Sequence, residues 1–113
     1  MPDAMDMNAY NELKEIMGEV LHDLIDTFLE TMPEQLSLLQ QALQQNNSEQ
    51  VFAVAHRIKS SSSSIGAASL ADYAEQLELK GRAAELGDSE ALYATLLEHY
   101  GEAAEFLRSE LKS

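Results

Sequence analysis

The chain has 113 residues, which is room for one hydrophobic core and little more. It holds no cysteine, so disulfides, thiolate metal sites and cysteine nucleophiles are excluded. A formal net charge of −13, from 20 acidic against 7 basic side chains, creates a field that repels nucleic acid and anionic membranes. One domain is expected over residues 1–113, with 1–7 as a flexible N-terminus. The first eight residues carry neither a basic cluster nor an apolar run, so no signal peptide is expected. No stretch nears the roughly 18 consecutive apolar residues of a membrane span. The expectation is a soluble, cytoplasmic protein.

Leu, Ala, Glu and Gln dominate, glycine and proline are scarce, and no alternating strand pattern is bounded by turn residues. A first helix is predicted from Asn8, as N-cap, to Met17, with Tyr10, Leu13, Ile16 and Met17 as its apolar stripe and Gly18 as its stop. A second runs from Glu19 to Gln45 on a stripe of Leu21, Leu24, Ile25, Phe28, Leu29, Met32, Leu36, Leu39 and Leu43. Pro33 falls inside it and should kink or split it, because it lacks an N–H and clashes with the preceding turn. Asn46 and Asn47 form a polar turn, and Ser48 caps a third helix that runs to Ile65 and stops at Gly66. A fourth spans Ala68 to Leu86 and stops at Gly87. Asp88 or Ser89 caps a fifth that continues to Leu111. Four long amphipathic helices with short connections predict an all-α fold, an antiparallel up-down four-helix bundle with the short first helix capping one end.

The third helix carries the chemistry. With His56 at zero and 100° per residue, Val51, Val54, Ala55, Ile58, Ser62 and Ile65 fall in an arc centred about 210° away, which is the core face. Lys59, Ser60 and Ser63 fall within about 60° of His56, and Phe52 about 40° from it. The pattern sets an imidazole on the outer face, an ammonium at i+3 and small hydroxyl residues around them. A neutral imidazole offers a nucleophilic nitrogen at neutral pH. A phosphoryl group on it would bring nearly two negative charges, which Lys59 can reach. Small side chains allow a partner's site to approach, and Phe52 offers that partner an apolar contact. Five consecutive serines are poor helix formers, so something other than helix propensity selects small residues there, or the helix end frays into a loop.

The stretch from His56 to Ala67 (His-Arg-Ile-Lys-Ser-Ser-Ser-Ser-Ser-Ile-Gly-Ala) resembles the signature of histidine phosphotransfer (HPt) domains, His-x-hydrophobic-Lys-Gly-Ser-Ser-x-x-hydrophobic-Gly-Ala. Leu70, Leu77-Glu78 and Gly81-Arg82 follow at matching spacing. The resemblance covers nearly the whole chain and departs at Ser60, where the family usually has glycine. It implies a phosphorelay carrier, not a kinase, with no nucleotide site and no cofactor or metal of its own. His56 would be the phosphorylated residue and Lys59 would screen the phosphoryl group. Phe52, Ser60, Ser63, Glu78 and Arg82 would contact the partner. Glu78 and Arg82 read equally well as an i,i+4 ion pair on a solvated face. The implied partners are receiver domains of a hybrid histidine kinase and of a response regulator, with Mg²⁺ on the receiver. A monomeric, stand-alone carrier is expected.

Two rivals compete with that reading, besides a helical adaptor unrelated to phosphorelay in which the motif arises by chance. Glu19-Val20-Leu21-His22 is one Glu-x-x-His motif of the kind used in carboxylate-bridged metal bundles, but Ala53 and Leu96 stand three before His56 and His99, so no second motif exists. An adaptor that keeps the fold and binds receivers without being phosphorylated is the other. His22 and His99 have Ile25 and Glu102 at i+3 rather than lysine and read as ordinary helix residues.

Overall fold

The computed structural model describes residues 4–112, which form five helices and no strand. They are α1 (Met7–Met17), α2 (Val20–Gln44), α3 (Ser48–Ser64), α4 (Ala68–Ala83) and α5 (Ser89–Leu111). Two helices begin on side chains other than the predicted caps. Asp6, not Asn8, caps α1 and accepts from the Ala9 N–H at 3.1 Å. Asn47, not Ser48, caps α3 and accepts from the Gln50 N–H at 3.2 Å. Either member of each pair has the right chemistry, and the turn before the helix decides which one is placed to accept. Asp88 precedes α5, but no side-chain capping bond forms there.

The helix ends show the same local control. Gly66 closes the α3–α4 turn at φ +81°, and a Cβ on it would stand 3.3 Å from the Tyr10 backbone nitrogen, so conformation and space both favour glycine. The fourth helix stops at Ala83 rather than Leu86. Ala84 enters the left-handed region at φ 57°, while the Ala84 and Glu85 N–H groups turn back onto the carbonyls of Gly81 and Lys80. The Lys80 ammonium donates to the Gly87 carbonyl at 3.0 Å and holds the following loop. Pro33 does not split the second helix: α2 is continuous through it, with the ring on the exposed side.

α2 packs on α3, α3 on α4, α4 on α5 and α5 on α2, while α1 packs on α2. The molecule measures 41 × 22 × 20 Å, and its long axis matches the roughly 38 Å of the 25-residue α2. The core contains Ile25, Met32 and Leu39 of α2, Val51, Val54 and Ile58 of α3, Leu70 and Leu77 of α4, and Leu96 and Leu107 of α5. The predicted inner face of α3 is buried in full, Ser62 and Ile65 included.

α1 is held by Tyr10. Its ring meets Phe106 edge-on at 5.2 Å, and its hydroxyl donates to Glu110 at 2.9 Å, where Lys14 also binds at 3.1 Å. Burial and the Glu110 carboxylate push the Tyr10 phenol well above its ordinary range. Ile16, expected in the apolar stripe, is 83% exposed, because it lies about 120° from Tyr10 around α1. The expectation of a flexible N-terminus over 1–7 falls partly on residues 1–3, outside the described residues. Ala4 and Met5 are instead buried. The Asp6 N–H donates to the Gly66 carbonyl and the Ser69 N–H to the Ala4 carbonyl, which ties this segment to the α3–α4 turn. Among the described residues no helix is long and apolar enough to cross a membrane.

Candidate functional site

The outer face of α3 is built against α4. Gly81 makes this possible. A Cβ there would lie 2.6 Å from the Phe52 nitrogen and 2.9 Å from the Ser48 carbonyl oxygen, so the two backbones touch. That register sets Glu78 beside His56 and Lys59, and Arg82 one turn further along beside Phe52.

His56 Nδ1 lies 2.9 Å from Glu78 Oε2, and Lys59 Nζ lies 2.7 Å from Glu78 Oε1. The Glu78 side chain is 4% exposed, Lys59 29% and His56 55%. Burial alone would push the Glu78 carboxyl up. The Lys59 and His56 hydrogen bonds, reinforced by their charges, outweigh that and hold it below the ordinary carboxylate range. Glu78 is therefore a carboxylate, able only to accept, so His56 Nδ1 carries the hydrogen and donates. In the neutral ring this tautomer leaves the lone pair on the exposed Nε2, an arrangement competent for nucleophilic attack.

The Phe52 ring lies 6.3 Å from the imidazole at an interplanar angle of 24°, and the Arg82 guanidinium sits 5.2 Å from the Phe52 ring centre. Ser60 and Ser63 are exposed on the same helix, and the Ser64 hydroxyl bonds back to the Ser60 carbonyl at 2.8 Å. Phe52, His56, Lys59, Ser60, Ser63 and Arg82 thus occupy the outer side of α3 and the adjoining edge of α4.

Glu78 departs from expectation. It forms no ion pair with Arg82, and it lies too deep to offer a docked partner a surface. Its carboxylate instead meets the two donors that α3 presents, His56 Nδ1 and Lys59 Nζ. Gly81 is the structural residue that spacing on α3 alone does not reveal. Its signal is a glycine inside a helix with no turn to explain it. His99 is half-buried between Ser69, at 2.7 Å, and the Tyr73 ring, at 4.9 Å, and joins α4 to α5. Among the described residues no three His, Asp or Glu side chains gather as a metal site, and Glu19 and His22 both face solvent.

Comparison with known proteins agrees with this fold. The Hpt domain family matches residues 23–108. The fold is similar to the crystal structure of histidine-containing phosphotransfer protein B (HptB) from Pseudomonas aeruginosa PAO1, with a TM-score of 0.93 and 28% identity over 99% of this chain and 97% of that one. No curated protein matches the chain. A family match over most of the length, on a five-helix fold that presents an exposed histidine, means that this chain belongs to the Hpt domain family of histidine phosphotransfer signalling proteins.

Proposed function

We propose that His56 carries the phosphoryl group, on Nε2, between two receiver domains of a phosphorelay. The observation that carries this reading is the exposed imidazole whose Nδ1–H is held by the buried Glu78 carboxylate. In the accepting step the Nε2 lone pair attacks phosphorus, the P–O bond of an aspartyl phosphate breaks, and the aspartate leaves as carboxylate. In the donating step a second receiver's carboxylate attacks, the P–N bond breaks, and the pair returns to Nε2. Because Nδ1 keeps its hydrogen in both directions, the leaving group is a neutral imidazole rather than an imidazolate.

The donor is the receiver of a hybrid histidine kinase and the acceptor that of a response regulator. The receiver supplies the acidic pocket and Mg²⁺. This chain supplies no nucleotide-binding loop and acts as a phosphocarrier, not a kinase. Lys59 has three N–H donors. One engages Glu78, and the others are available to screen the phosphoryl oxygens. Phe52, Ser60, Ser63 and Arg82 form the docking face, with Ser60 giving less clearance than the glycine usual in the family. The scaffold is read as an antiparallel up-down four-helix bundle, acting as a cytoplasmic monomer.

The test is phosphoryl transfer from a panel of phosphorylated receivers to the wild type and to His56→Ala. The expected result is an acid-labile, alkali-stable label on the wild type and none on the variant. No label from any receiver on a protein that circular dichroism shows to be helical would instead support a receiver-binding adaptor that is not itself phosphorylated.

A further inference from the structure

The seven cations of this chain are unevenly placed. Between Lys14 and Arg57 there are seven acidic residues and no Lys or Arg, and four cations then fall between positions 57 and 82. Two of those four are already engaged: Lys59 by Glu78, and Lys80 by the Gly87 carbonyl. Arg57 and Arg82 are exposed, and neither has a carboxylate partner among the described residues.

Arg82 differs from Arg57 in being positioned. Its guanidinium rests over the Phe52 ring at 5.2 Å, and Phe52 is in turn stacked near His56. A cation over a ring face satisfies its charge weakly and leaves the N–H edge unused. A guanidinium so held loses less freedom when it meets an oxyanion, and its planar fork matches a carboxylate at two points.

We infer that Arg82, held over Phe52 one turn from His56, is the cation that binds the carboxylate-rich rim of the incoming receiver and so sets the affinity of docking. This rests on the phosphocarrier reading given above and adds the residue and chemistry by which the partner is engaged. On a molecule of net charge −13, an acidic partner is repelled over most of the surface. A fixed cation beside the histidine makes that edge the favoured approach.

The experiment measures the initial rate of transfer from one phosphorylated receiver against its concentration, at low and high KCl. It compares the wild type with Arg82→Ala, Arg82→Lys and Arg108→Ala. The last removes the same charge from the exposed side of the final turn of α5. Arg82→Ala should raise the half-saturating receiver concentration about three- to tenfold and flatten its salt dependence. Arg82→Lys should recover part of that loss, and Arg108→Ala should stay within about twofold of wild type. Equal effects of Arg82→Ala and Arg108→Ala would overturn the inference, because net charge alone would then explain them. A wild type that no receiver labels would overturn the phosphocarrier reading itself.

Discussion

Glu78 keeps its charge under burial because Lys59 and His56 close on its two oxygens. Its carboxyl sits below its ordinary 4.5, so the unfolded chain binds this proton more readily than the folded one. The resulting stabilisation is fully present above about pH 4.5 and is lost as pH falls through the lower folded value. Glu78→Ala should cost about 1–3 kcal/mol at pH 7, reduced from the figure for a fully buried pair because Lys59 and His56 can rehydrate. The gap between variant and wild type should close in acid. Urea denaturation at pH 7 and near pH 3 checks this, and a gap of constant size would show that the carboxylate charge contributes nothing. Much of this residue-scale picture was legible beforehand. Spacing alone set His56 outward and Val51, Val54, Ala55 and Ile58 inward, because a single helix fixes both. The depth of Glu78 was not legible, since an acid four before an arginine reads the same on a solvated face as at a helix contact. Only the register of a second helix distinguishes the two.

That register is a property of the α3–α4 pair, and Gly81 sets it. A methyl at this position meets two backbone groups, Phe52 N–H and Ser48 C=O, which cannot rotate away as a side chain tip would. Gly81→Ala should therefore cost about 3 kcal/mol, at the upper end for overpacking, despite the higher helix propensity of alanine. It should also slow transfer, because moving α4 outward separates Glu78 from His56 and Arg82 from Phe52. A stability equal to or above wild type in urea titration would mean that the helices slide without loss. The element boundaries show where sequence runs short. Asp6 and Asn47 displaced the predicted caps by one or two residues. Ala84 ended α4 in a left-handed turn where a glycine was available three residues later. Pro33 stayed inside α2 because its ring lies on the solvent side. In each case the local chemistry permits more than one answer, and packing elsewhere chooses.

The whole molecule carries strong self-repulsion, with two lysine–carboxylate pairs (Lys14–Glu110 and Lys59–Glu78) among the described residues to offset it. Raising ionic strength from about 0.01 M to about 1 M shortens the screening length from roughly 30 Å to roughly 3 Å. Repulsion spread over the surface is screened more than contacts at 3 Å, so the melting temperature should rise, by about 4–8 °C per kcal/mol of repulsion removed. Calorimetry at both salt levels measures this, and a fall would mean that the ion pairs outweigh the net charge. The all-helical architecture followed from apolar spacing, yet the anchoring of α1 did not, because Tyr10 and Glu110 stand 100 positions apart. Their contact brings the start and finish of the described chain side by side, at the end of the molecule away from the Asn46–Asn47 turn. The described fold is thus suited to circular permutation: a short linker from Lys112 to Ala4, with new ends opened between Asn46 and Asn47, would leave the face that presents His56 uncut.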